Sequence, residues 1–75
     1  MRKCIAVFYA SHHHFDNEHK SFISWNQNDD VIDLLQVESL IKMRSSEYFG
    51  YISEKKIQII PEDIQVQIIR TEILN

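Results

Sequence analysis

The sequence predicts a small α+β domain of order β-β-α-β-β-β, a mostly antiparallel sheet with one helix packed on one face. Three observations point there. The run Cys4-Ile5-Ala6-Val7-Phe8-Tyr9 is apolar on both alternating faces, the pattern of a strand covered on both sides. The C-terminal part is dense in isoleucine, and Ile64-Val66-Ile68 alternate with glutamine. Between these lies one helix-compatible stretch, from Asp30 to Ser45.

The first strand is placed at Lys3 to Tyr9. Arg2 and Lys3 ahead of an apolar run raise the question of a secretion signal. That run ends at Ala10 and meets His12-His13-His14 at once, too short and too soon interrupted for a convincing signal core. Polar residues from Ser11 to Lys20 read as a loop, and Ser21-Phe22-Ile23-Ser24-Trp25 as the second strand of a long-connected hairpin.

Asn26 to Asp30 breaks the strand and starts the helix. Asn28 or Asp29 is the expected N-cap, with Asp30 and Asp33 suited to the positive end of the helix dipole. The apolar stripe is imperfect: Val31, Leu34 and Leu35 share one side, whereas Val37, Leu40 and Ile41 drift to another. Tyr48 to Ile52 then reads as a short strand, with Gly50 at a bulge or close approach. Ser53 to Lys56 reads as a polar turn, Ile57 to Ile60 as a strand, and Pro61-Glu62-Asp63 as a type I turn. Ile64 to Leu74 is open to two readings, since Pro61-Glu62-Asp63 would also make a first helical turn; the alternation favours a last strand, with a register shift at Ile68-Ile69 that a bulge absorbs.

One domain spanning residues 1–75 is the count that this length supports. A hydrophobic content of 44% with one glycine and one proline argues for a folded chain, since disordered segments are poor in such residues. Cys4 is the single cysteine, so no internal disulfide forms. That favours a reducing compartment, and a cytoplasmic location is the expectation. No segment approaches the length of a membrane span. The net charge of −3, from 11 acidic and 8 basic side chains, provides no basic footprint for nucleic acid.

Two clusters could carry chemistry. His12, His14, Asp16 and His19 combine imidazole and carboxylate donors, a set suited to zinc. Against that, no established ligand spacing is present, and a solvated histidine-rich loop accounts for the same residues without a cofactor. The second cluster is Tyr48, Phe49 and Tyr51. Phe49-Gly50-Tyr51-Ile52 resembles the core of the motif with which RNA-recognition domains present stacking rings on a strand, which implies single-stranded nucleic acid as a ligand. The flanks depart from that motif: Glu47 and Tyr48 stand where it has a basic residue and glycine, and Glu54 replaces an aromatic.

There is no glycine-rich phosphate loop and no nucleophile elbow. Cys4 lies in a buried strand, where a thiol is inert. The chain is therefore read as non-enzymatic, without a small-molecule substrate. One helix covers one sheet face, which leaves the other to a second copy of the chain or to another protein. Tyr48, Phe49, Tyr51, Ile69 and Ile73 are the candidate interface residues. The element order and size are loosely similar to small phage and bacterial proteins that bind RNA polymerase or block defence nucleases. The functional expectation is thus a protein-binding module, an inhibitor or accessory factor of a nucleic-acid-handling enzyme. A metal-binding module and a single-stranded nucleic-acid binder are the alternatives.

Overall fold

The computed structural model describes residues 1–54 and 57–74. Three strands and one long helix make up an α+β unit: β1 (Arg2–Ser11), β2 (His19–Gln27), α1 (Leu34–Ile52), a single 3-10 turn at Pro61–Asp63, and β3 (Gln65–Leu74). β1 is the central strand, in the order β2-β1-β3, and both pairings are antiparallel. The hairpin joins Ala10 opposite His19 and runs to Arg2 opposite Gln27.

The expected hairpin is present with both strands longer than expected, and the C-terminal strand is present from Gln65, one residue later than expected. The register shift is also present. Phe8 faces Ile68 and Val7 faces Arg70 across the β1–β3 ladder, so Ile69 is the extra residue. Such a bulge lets Ile68 and Thr71 both turn towards the helix while Ile69 and Arg70 turn away.

The middle of the chain differs from the expectation. Tyr48 to Ile52 is not a strand but the last part of α1, and Ile57 to Ile60 has no strand pairing. The sheet therefore has three strands among the described residues rather than five. The polar turn at Ser53 to Lys56 falls partly on residues 55 and 56, which lie outside the described residues. The physical reason for the correction is the helix stripe. Val37, Ile41, Ser45 and Phe49 are all buried at four-residue spacing, which is one face of a helix. Ser45 occupies a core position with a polar side chain, so the apolar stripe looks interrupted where the helix continues. Gly50 marks neither a bulge nor a close approach, because a Cβ there would meet open space.

The helix also starts later than expected. The side chain of Gln27 accepts from Trp25 Nε1 at 2.8 Å and donates through Nε2 to the carbonyls of Asp29 and Val31, at 2.8 and 3.0 Å. Those bonds hold the chain after β2 in a turn, and Arg2 pairs with Asp30 at 2.7 Å. Asp33, not Asn28 or Asp29, is the cap: its Oδ1 accepts from the amides of Leu35 and Gln36 at 3.0 and 3.4 Å.

The core is one cluster between sheet and helix. Ala6, Phe8 and Ala10 of β1, Ile23 of β2, Val37, Ile41 and Phe49 of α1, and Ile64 are buried together. Cys4 is buried on the same face of β1. No helix among the described residues is long and apolar enough to cross a membrane.

Candidate functional site

The two sides of the molecule have different chemistry. On the side away from the helix, Ile5, Val7 and Tyr9 of β1 form the centre of a face that no element among the described residues covers. Their ladder partners complete it: Phe22 and Arg70 flank Val7, Ser24 and Glu72 flank Ile5, and Lys20 and Gln67 flank Tyr9. Phe22 is 59% exposed and the bulge residue Ile69 45% exposed. Polar groups ring the apolar centre. Lys20 Nζ lies 5.3 Å from the Tyr9 ring centre, and Arg70 pairs with Glu72 at 3.7 Å.

On the helix side, β2 and one flank of α1 meet in an aromatic cleft. His19 is the first residue of β2 and points at the helix. Its Nδ1 lies 3.0 Å from the hydroxyl of Ser45. Its ring lies flat on that of Tyr48, with centroids 4.0 Å apart and planes 6° apart. Phe8 meets the same imidazole edge-on. Burial holds His19 below the usual imidazole value, and the nearby Arg44 adds to that. Arg44, Glu47 and Tyr51 complete the cleft with Ser21 around an open, shallow depression of ≈ 380 Å³. Ser45 and His19 form a hydrogen-bonded pair of the kind that activates a nucleophile. Ser45 is fully buried, however, so no substrate reaches its hydroxyl. The pair is a structural one.

The histidine loop is exposed at His13, His14, Asp16, Asn17 and Glu18, with His12 turned inward. His12 is buried, and its Nδ1 accepts from the amide of His14 at 3.1 Å. Its carbonyl accepts from Phe15 at 3.0 Å, which closes a turn. Because Nδ1 is an acceptor, the neutral ring carries its proton on Nε2. His13 and His14 stack on it, with centroids at 4.5 and 5.3 Å. Burial holds His12 below its usual value, followed by repulsion from His13 and His14, against an upward pull from Asp63.

The residues selected from sequence are thus dispersed. His12 and His14 stack together at the end of the hairpin, whereas His19 is engaged with Ser45. Asp16 lies in the loop, beside a second surface depression. Among the described residues, no three of His, Cys, Asp and Glu are gathered as a metal-ligand set. Of the candidate interface residues, Phe49 is in the core and Ile73 is half-buried on the helix side, opposite Cys4. Ile69 lies on the uncovered face, and Tyr48 and Tyr51 lie on the helix flank. The rings of Tyr48, Phe49 and Tyr51 do not share one strand face as an RNA-recognition motif requires, because a helix carries them. Arg44 and Ser45 were missed from sequence; the i, i+4 spacing of Arg44 to Tyr48 was the available signal.

No family model, curated protein or solved structure matches this chain.

Proposed function

We propose that this protein is a small interaction module that seats the uncovered face of its sheet on another protein surface, in the first instance a second copy of itself. The observation that supports this is the arrangement of that face. An apolar centre of Ile5, Val7, Phe22 and Ile69 is ringed by Lys20, Gln67, Arg70 and Glu72, the layout of an interface core within a polar rim. Removing such a surface from water contributes roughly 25 cal/mol per Å². A chain this short has a total stability of only about 4–11 kcal/mol, so covering the face changes its energetics substantially. A two-fold arrangement uses the same patch on both copies and closes on itself, leaving no further adhesive surface. The same face serves a heterologous partner, and an inhibitor or accessory factor of a nucleic-acid-handling enzyme would act through it.

Light scattering across a gel-filtration peak, from micromolar to millimolar chain, tests the reading. The expected result is a dimer that Phe22→Asp or Ile69→Asp converts to a folded monomer. A wild-type chain that stays monomeric throughout, and that exposes no dye-binding apolar surface, would refute it.

A further inference from the structure

We propose that the cleft between β2 and the flank of α1 binds a nucleotide unit, with its planar base against Tyr51 and Tyr48 and its phosphate on Arg44. The ligand chemistry is a flat π system joined to an anion, whether as a free mononucleotide or as one unit of a single strand.

The cleft's wall is preformed. Ser45 fixes His19 from inside the core, and His19 in turn holds the Tyr48 ring parallel to itself. An aromatic surface fixed in this way loses little freedom when a second ring stacks on it. Tyr51 stands at the mouth, 91% exposed, and has no ring contact among the described residues. A tyrosine so placed contributes nothing to folding and presents a whole face to a ligand. Arg44 lies one helical turn from Tyr48 and two from Tyr51, about 10 Å along the axis. That is the scale on which a nucleotide separates its base from its phosphate. Arg44 has no ion-pair partner among the described residues, so its fork of donors is available to a phosphate. Ser21 supplies a hydroxyl, and Glu47 is the acceptor for an exocyclic amine or a sugar hydroxyl.

Charge restricts the size of the ligand. The lining holds one guanidinium and one carboxylate, on a chain of net charge −3. Arg44 can pair with one phosphate while Glu47 offsets its charge, so affinity comes from stacking and not from a polyanion track. The lone His19 and Glu47 pair is too small a set for a metal. A site for a simple anion would not need three stacked or exposed rings.

NMR titration of the full chain with adenosine monophosphate, uridine monophosphate, adenosine, ribose 5-phosphate and a hexanucleotide tests the proposal. Shifts are expected to be saturable and confined to residues 19–21 and 44–51. Adenosine and ribose 5-phosphate should each bind at least about ten-fold more weakly than adenosine monophosphate. Tyr51→Ala should weaken base-containing ligands by about five-fold or more. Arg44→Gln should bring adenosine monophosphate down to the level of adenosine. Both side chains are at the surface, and unchanged thermal melts confirm that each variant folds. Binding of the hexanucleotide alone would identify a single strand as the source, and equal binding of monomer and hexamer a free nucleotide. No saturable shift with any probe, or shifts indifferent to both substitutions, would overturn the proposal.

Discussion

The Nδ1 of His19 and the hydroxyl of Ser45 lie 3.0 Å apart, and through them the edge strand β2 is tied to the middle of α1. Ser45 is fully buried, so its hydroxyl has no solvent alternative. Ser45→Ala should cost about 1–3 kcal/mol, the penalty for leaving a polar partner unpaired. His19→Phe keeps a ring on Tyr48 and removes the need for a partner. In that background Ser45→Ala should be close to neutral, because removing both members of a pair avoids the desolvation penalty. Urea melts of the four proteins measure the coupling. Additive effects of the two substitutions would show that the bond carries no energy.

The same burial makes stability depend on pH. His12 and His19 are both held below the ordinary imidazole value of 6.5 in the folded chain. The folded state therefore prefers both rings neutral, and their contribution is complete above the unfolded value. As pH falls below it, the unfolded chain takes up protons that the folded chain refuses. Stability should then decline until pH passes the folded values. For His12 the Asp63 carboxylate opposes this and the two stacked histidines reinforce it. Urea midpoints measured from pH 8 to pH 5 should fall, and His12→Asn with His19→Asn should flatten the decline. A midpoint that rises on acidification would contradict the assignment.

Gly50 distinguishes a helix from a strand at its position. In the helix it is exposed, and a Cβ meets nothing within 4 Å. Gly50→Ala should stabilise the protein by about 0.5–1 kcal/mol, the propensity difference inside a helix. Its neighbours should respond in opposite ways. Phe49 is 0% exposed, and Phe49→Ala should cost about 3–5 kcal/mol, enough to unfold much of so small a domain. Tyr51→Ala should change stability by less than about 0.5 kcal/mol. Thermal melts by circular dichroism read all three.

What was legible in the sequence was three strands of the sheet, whereas the two others expected, at Tyr48 to Ile52 and Ile57 to Ile60, are absent from it. β1 was read from a run apolar on both faces and β3 from the alternation of Ile64, Val66 and Ile68, and even the Ile68-Ile69 fault in that alternation marked the bulge. The helix was misread at both ends because polar side chains perform structural work there. Asp33 resembles its acidic neighbours, and only the Gln27 bonds to the carbonyls of Asp29 and Val31 decide which of them caps. Ser45 resembles a surface residue, and only its bond to His19 explains its burial. The exposed Leu35 and Met43 compounded the error by diluting the apolar stripe. The cleft was half visible: Tyr48 and Tyr51 were identified, whereas His19 was grouped with a loop from which tertiary packing separates it.

Deleting one residue from β3 tests the bulge and isolates the uncovered face from the fold. In the native ladder Phe8 faces Ile68, Val7 faces Arg70, Ala6 faces Thr71 and Ile5 faces Glu72. Without Ile69 these pairs are all retained, and the strand alternates without a fault. The deletion should fold, at a cost of less than about 1.5 kcal/mol, because it removes a half-exposed side chain and an irregular pairing. Deleting Thr71 instead brings Arg70 opposite Ala6, on the face that packs against the helix. A one-residue slip of this kind turns side chains to the wrong side, and a buried unpaired guanidinium should cost about 3–5 kcal/mol. Urea melts should therefore separate two deletions that lie two positions apart. Light scattering on the Ile69 deletion then reports on association with the fold held constant. The apolar centre loses one of its four side chains, and the dimer should weaken. A deletion of Ile69 that unfolds the chain as thoroughly as deletion of Thr71 would show that the bulge itself supports the sheet.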